Sequence, residues 1–375
     1  MSKKLHILFL CGWYPSRANR NNGDFIQRHA EAVSLDNTVS VLHIVTDKNC
    51  LQNIEYSFDI INGVNTHIAY IKPTTNPIIK GIRFYKAFKS LIKKNGSIDV
   101  THLNEVYPFG IFSLYLKWFK KFPFIISEHW TGYHLPQSKN LSFLQKFITK
   151  IIIKNANFVC PVSNDLKKSM QFLGFNGKYK KVPNVVNTKL FHPKKIENKI
   201  FTITHVSNMV NNHKNIKGML RVVKKLENEI DNFVFKFIGE NSSNYKPYAE
   251  KIGVNLNKVV FINHVSHNEV AKILKEANLF VLFSNYENLP CVILESFSCG
   301  VPVIATDVGG ISEYFPSEFG YLIQKGDETA LLKAIINIYK NPVNLKNRMQ
   351  NYAKENFSRQ SISSQFTELY KQTLN

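Results

Sequence analysis

At 375 residues the chain is too long for one ordinary core and is read as about two domains. Hydrophobic content of 44% and aromatic content of 13% exclude bulk disorder, and no apolar run approaches the ~20 residues of a membrane span. The formal charge of +21 is unevenly placed: residues 1–183 carry 25 Lys+Arg against 10 Asp+Glu, giving +15, and the remainder carries 23 against 17, giving +6.

The opening Lys3-Lys4 and His6 to Cys11 have the look of a signal peptide, but the apolar stretch is short, lacks a small-residue cleavage site and ends at Gly12-Trp13-Tyr14-Pro15. It reads as a first strand, Leu5–Leu10. Further strands are expected at Val39–Val45, Thr66–Ile71, Val100–His102, Phe124–Ser127 and Phe158–Pro161, alternating with helical stretches, which predicts a parallel sheet flanked by helices. Between them, Ile78, Ile82, Tyr85, Phe88 and Ile92 form one apolar stripe at helical spacing, flanked by Lys80, Arg83, Lys86 and Lys93. Packing of that stripe on the sheet is the ordinary expectation. The excess of charge over 79–94, 116–122 and 143–154 points to an anionic membrane surface, at ~1 kcal/mol per basic residue. Nucleic acid ranks lower, because no helix-turn-helix, zinc-finger or RNA-recognition pattern occurs.

Pro183 to Lys195 is aperiodic, has proline near both ends and reads as a linker between domains. The strand–helix alternation then restarts at Phe201–Val206, Phe233–Ile238, Val259–Ile262, Leu279–Phe283, Val301–Ala305 and Gly320–Ile323. A final helix is expected over 358–374 through Ile362, Phe366 and Tyr370. The expected division is 1–183 with 358–375, and 184–357. Five cysteines (11, 50, 160, 291 and 299) lack C-x-x-C or metal spacing and fit buried packing roles in a reducing cytoplasm.

The most informative stretch is Ser284-Asn-Tyr-Glu287-Asn-Leu-Pro-Cys-Val-Ile-Leu-Glu295, ending through Gly300 into Val301–Ala305. It reads as strand, loop, helix and strand, with Pro290 in the first helical turn. Glu287 then stands at a strand's carboxyl end and Glu295 more than one turn into the helix, whose amino end favours anions. Two carboxylates beside an anion-binding helix end suit a sugar joined to a phosphate. Lys214 lies between a strand and the next helix, where a cation stabilises a departing phosphate oxygen, with Lys217 nearby. His129, in Glu128-His-Trp130, follows another strand, where ligands of open α/β sheets bind. His102 is balanced between lining such a site and a satisfied core histidine. Gly23 closes the loop after the first strand, but no G-x-G-x-x-G is present, so no dinucleotide is expected. There is no D-x-D and no His/Cys/carboxylate cluster with metal spacing, so no metal or other cofactor is expected.

These pieces, Gly12-Trp-Tyr-Pro15 with Gly23-Asp-Phe, Glu128-His-Trp-Thr-Gly-Tyr133, Pro183-Asn-Val-Val-Asn187, His213-Lys-Asn215 and E-x7-E before Gly-Val-Pro-Val-Ile-Ala-Thr306, closely resemble family-4 retaining glycosyltransferases of bacterial surface-polysaccharide type. The resemblance implies an α/β GT-B fold: two Rossmann-like domains with a crevice between them, and a last helix crossing back to the first. It implies sugar transfer from a UDP- or GDP-sugar to a lipid-linked glycan at the cytoplasmic membrane face. Glu287, His129 and Lys214 become the catalytic candidates, and Glu295 the ribose ligand. Asn208, Lys217, Asn288, Leu289, Pro290, Cys291 and Gly23 become donor contacts, with His102 and Trp130 on the acceptor side. An Arg that many members place five or six residues before the Lys is absent, Ser207 and Asn208 standing there. That absence keeps a catalytically silent binding subunit in view, alongside a nucleotide-sugar epimerase.

Overall fold

The computed structural model describes residues 4–194 and 199–375; Lys3 and Lys195, named above, lie outside them. The chain divides into two compact units, Met1–Val185 with Arg359–Asn375, and Val186–Ser358.

In the first unit the order is β1 (His6–Cys11), α1 (Asp24–Val33), β2 (Thr38–Thr46), β3 (Ile54–Ile61), β4 (Val64–Ile71), α2 (Pro77–Lys93), β5 (Val100–Asn104), α3 (Gly110–Lys120), β6 (Phe124–Glu128), α4 (Phe143–Asn155), β7 (Phe158–Pro161) and α5 (Asn164–Phe172). The sheet runs β3-β4-β2-β1-β5-β6-β7. Every pairing is parallel except β3 with β4. Strand β3 was not expected: Tyr56, Phe58 and Ile60 alternate as a strand should but face outward at the sheet edge, so burial left no apolar run to read. The central strands are continuous apolar runs, as strands covered on both faces must be. Asn76 starts α2 by accepting from the Ile78 and Ile79 N–H groups, and Ser142 with Gln145 forms a capping box on α4.

The stripe on α2 departs from expectation. Ala87, Phe88 and Leu91 are buried, whereas Ile78, Ile82 and Tyr85 are exposed, Ile78 by 72%. Only the last half of α2 reaches the sheet; its first two turns overhang.

The second unit contains β8 (Phe201–Val206), α6 (Asn211–Lys214), α7 (Ile216–Leu226), β9 (Phe233–Ile238), α8 (Lys246–Lys251), β10 (Val259–Ile262), α9 (His267–Lys275), β11 (Leu279–Leu282), α10 (Cys291–Ser298), β12 (Val303–Thr306), β13 (Gly320–Ile323), α11 (Glu328–Lys340) and α12 (Lys346–Phe357). Its all-parallel sheet runs β10-β9-β8-β11-β12-β13. Phe235, Phe237, Ile203 and Val281 build its core against Met219, Leu220 and Val223 of α7. The chain then returns to the first unit as α13 (Arg359–Leu374), which buries Ile362, Phe366 and Tyr370 beside α1. Among the described residues no helix is long and apolar enough to cross a membrane.

Candidate active site

In each sheet the strand order reverses about its first strand, and ligands of such sheets bind outside the strands' carboxyl ends at that switch point. In the second unit the switch lies between β8 and β11. Lys214, ending α6 after β8, and Glu287, in the loop after β11, reach across it and form an ion pair. Both side chains are largely buried, and Ser284 Oγ donates to Glu287 Oε1 at 2.8 Å. The Asn285 N–H donates to the His213 carbonyl at 2.6 Å and its side-chain amide to the Asn212 carbonyl at 3.0 Å, so α6 and this loop are tied at three points.

A second tie comes from the loop after β12. Gly309 has φ +62°, and a Cβ there would stand 2.0 Å from the Glu287 carbonyl oxygen. The Gly310 N–H donates to the Asn288 carbonyl at 2.9 Å. Glycine is required here because one backbone lies directly on another. Asn288 and Leu289 are buried beneath this contact, Pro290 stands extended just before α10 rather than in its first turn, and Cys291 is its first helical residue. Pro290 takes the preceding position because its ψ of 121° turns the loop into the helix.

Glu295, buried on α10, accepts from His267 Nε2 at 2.9 Å, and the His267 ring packs on Phe191 at 4.8 Å. Neither His267 nor Ser284 was foreseen. The Ser266–Glu269 capping box marks the start of α9 in the sequence, but nothing local ties it to a carboxylate 28 residues on. Asn208 and Lys217 line a cavity of about 540 Å3, with Met209, Tyr245 and Tyr248, and Lys217 Nζ stands 5.1 Å from the Tyr248 ring centre.

In the first unit Gly23, with φ +73°, precedes α1; a Cβ there would meet the Trp13 carbonyl carbon at 2.5 Å. His129, just past β6, packs against Phe25 at 4.7 Å and His29 at 5.2 Å. Burial, then the neighbouring His29 and His102, hold its pKa well below the usual imidazole value, with Asn184 acting weakly the other way, so the ring is neutral at pH 7. Trp130 folds back over Gly132.

His102 is a correction to the acceptor-side expectation. It is fully buried, its Nδ1 2.7 Å from Tyr370 Oη on α13 and its Nε2 2.7 Å from Ser127 Oγ. Helix α13 covers it, so it is a satisfied core histidine.

Sequence reasoning also passed over Glu105 and Glu128. Glu128 is buried and accepts from the N–H groups of Val106, His129 and Trp130, shaping the loops after β5 and β6. Glu105 follows β5 with φ +75° and lies against Gly12, where a Cβ would stand 2.0 Å from Glu105 Oε2. Desolvation and then the Glu128 charge push its pKa up to about 9; desolvation raises Glu128 to about 7 against its three N–H donors.

The model for Glycosyltransferase Family 4 matches residues 34–190, and that for Glycosyl transferases group 1 matches residues 186–356. The chain belongs to the group 1, family-4 glycosyltransferases. It is 33% identical over 121 residues to N-acetyl-alpha-D-glucosaminyl L-malate synthase of Bacillus anthracis, spanning 31% of each chain. With an uncharacterized glycosyltransferase of Methanocaldococcus jannaschii it shares 26% over 301 residues, 80% of each. With the UDP-Gal:alpha-D-GlcNAc-diphosphoundecaprenol alpha-1,3-galactosyltransferase of Escherichia coli it shares 31% over 113 residues, 30% of this chain and 29% of that one. The Bacillus and Escherichia relatives are thus matched over less than a third of their length. HepE of Anabaena, solved with UDP and glucose, superposes with a TM-score of 0.73 over 97% of this chain and 99% of its own, at 16% identity. The fold is α/β of the GT-B class.

Proposed function

We propose that the protein is a retaining glycosyltransferase that moves a sugar from a nucleoside diphosphate donor to a hydroxyl of a lipid-linked surface glycan. The Lys214–Glu287 pair at the second sheet's switch point, beside the amino end of α10, carries this reading. A diphosphate there meets the ammonium and the helix-end N–H groups, while Glu287 accepts from donor-sugar hydroxyls and Glu295 from the ribose. Asn208, Lys217 and the loop 288–291 complete the donor contacts. In the first unit, the backbone at Gly23 and the neutral His129 ring are the candidate ligand contacts that the family resemblance implies. Attack proceeds on the face the leaving group vacates, the departing phosphate oxygen takes the acceptor proton, and Lys214 stabilises the charge left on the diphosphate.

A UDP-sugar donor and an undecaprenol-linked acceptor are in the name of the Escherichia relative, and UDP with glucose occupies the Anabaena structure. The absence of D-x-D, with Lys214 in the cation's place, makes turnover independent of divalent metal: activity should survive excess EDTA, and complete loss restored by magnesium or manganese would refute this. A thermal-shift screen over UDP-, GDP- and ADP-sugars tests the whole reading, since a bound donor stabilises the fold by mass action. One nucleotide class should raise the Tm and then support transfer. No shift with any of them would overturn the function.

The acceptor's lipid fits a second observation. Helices α2, α3 and α4 of the first unit expose Ile78, Ile82, Tyr85, Trp118, Phe119, Phe143 and Phe147 among lysines, Phe119 by 70% and Phe143 by 86%. Tyr85 and Tyr115 join α2 to α3 edge to face, and α3 packs on α4. Apolar side chains set in a basic surface suit peripheral attachment to the anionic inner face of the cytoplasmic membrane.

A further inference from the structure

We propose that a cavity of about 240 Å3 in the first unit, bounded by Glu105, Tyr107 and Trp130 with Gln145, Lys146 and Thr149 of α4, seats one uncharged sugar ring of the lipid-linked acceptor. The proposal rests on the transferase reading above and gives its acceptor a site.

Position is the first argument. The cavity opens past the carboxyl ends of β5 and β6, and β1 and β5 flank the first sheet's own switch point. Size is the second. At ~30 Å3 per water the space equals about eight waters, enough for one six-membered ring and too little for a disaccharide or a nucleotide.

Chemistry is the third. A pyranose has polar edges and an apolar C–H face, so it wants an aromatic wall and groups that both donate and accept. Trp130 is fixed as such a wall: a Cβ on Gly132 would stand 2.2 Å from the indole, so the glycine admits the ring, and Tyr133 holds it edge to face at 5.1 Å. Glu105, kept protonated by burial and by Glu128, offers an O–H donor and a carbonyl acceptor without charge. Among the described residues lining it Lys146 is the one cation, and a single lysine makes the same space poor for phosphate. Finally, α4 turns Gln145, Lys146 and Thr149 to the cavity while exposing Phe143, Leu144 and Phe147. One helix thus borders both the sugar site and the surface where the lipid would lie.

The test is saturation-transfer NMR on the full chain with methyl α-glucoside, methyl α-galactoside and methyl N-acetyl-α-glucosaminide as probes. At least one should show transfer. Trp130→Ala and Glu105→Ala should weaken it by about tenfold, the loss of ~1.4 kcal/mol in one contact. Glu105→Gln, which keeps a donor and an acceptor, should retain it. Lys146→Ala, at the rim, should weaken it by roughly threefold and decides the matter if the other variants melt early. No transfer from any probe, transfer indifferent to these variants, or displacement of the glycoside by inorganic phosphate would overturn the site. The nucleotide-sugar thermal shift is read on the same samples: its absence refutes the transferase reading, while its presence without glycoside binding refutes the cavity alone.

Discussion

A lysine and a glutamate largely hidden from water are stabilising only as a pair, and the Lys214–Glu287 contact is further held by Ser284. Glu287→Ala strands the ammonium and removes the proposed sugar ligand, so it should chiefly lower turnover; Glu295→Ala should chiefly weaken nucleotide binding. Losing a charged hydrogen-bond partner costs ~1.5–3 kcal/mol, roughly 10- to 150-fold in the affected constant. Donor affinity from calorimetry and kcat from initial rates separate the two effects; normal values for both variants would refute the site. Glu105 yields a prediction of the opposite kind. Its folded pKa of about 9 lies above the model-peptide carboxyl value of 4.5. The folded state therefore keeps a proton that the unfolded chain releases, and stability falls as pH rises from about 4.5 to 9. Glu105→Gln has no proton to keep. It should match the parent near pH 5 and exceed it at pH 7 by up to ~3 kcal/mol, at ~1.36 kcal/mol per pH unit. Urea unfolding at both pH values checks this, and a pH-independent difference would contradict it.

The loops after β11 and β12 act as one piece because Gly309 lets their backbones touch. Gly309→Ala must move the Glu287 carbonyl away and hold an L-residue at φ +62°, a strain of ~1–3 kcal/mol. The predicted result is a lower Tm together with a marked loss of turnover, since the displaced segment carries Glu287. Gly326→Ala provides the control: its φ is +79° and nothing lies within 4 Å of the added carbon, so stability should drop while activity stays. Equal activity in both variants would show that the loop contact does not position Glu287. The exposed first half of α2 is likewise legible only with its neighbours, because helical periodicity states which side is apolar and not how far the sheet extends beneath it.

Charge and exposed apolar side chains together favour one environment for the whole molecule. The protein should cosediment with anionic vesicles at low salt and bind neutral vesicles poorly. High salt should release most of it, the Debye length falling from ~10 Å at 0.1 M to ~3 Å at 1 M. Exposed Phe119 and Phe143 add an apolar contribution that leaves some binding after the charges are screened. Lys86, Lys93 and Lys120 are exposed, so reversing all three to Glu should reduce attachment without lowering the Tm. Equal binding to neutral and anionic vesicles, or none to either, would assign the basic surface to another partner.

Strands such as Phe158–Pro161 and Phe233–Ile238, and the placement of Glu287 in a loop and Glu295 on a helix, were readable because hydrophobic runs, Pro290 and Gly300 are local signals. The family, too, was legible from short motifs in order. What local signals do not carry is which distant residues meet. Strand β3 escaped notice because its apolar residues point outward, and His102 belongs to the core only because α13 returns to cover it. Lys214 with Glu287, His267 with Glu295, and Glu105 over Gly12 are brought together by parallel strands whose order differs from their sequence. Sequence determined the elements and their chemistry; the crossovers between parallel strands, which join residues up to 93 positions apart at one sheet end, decided the contacts.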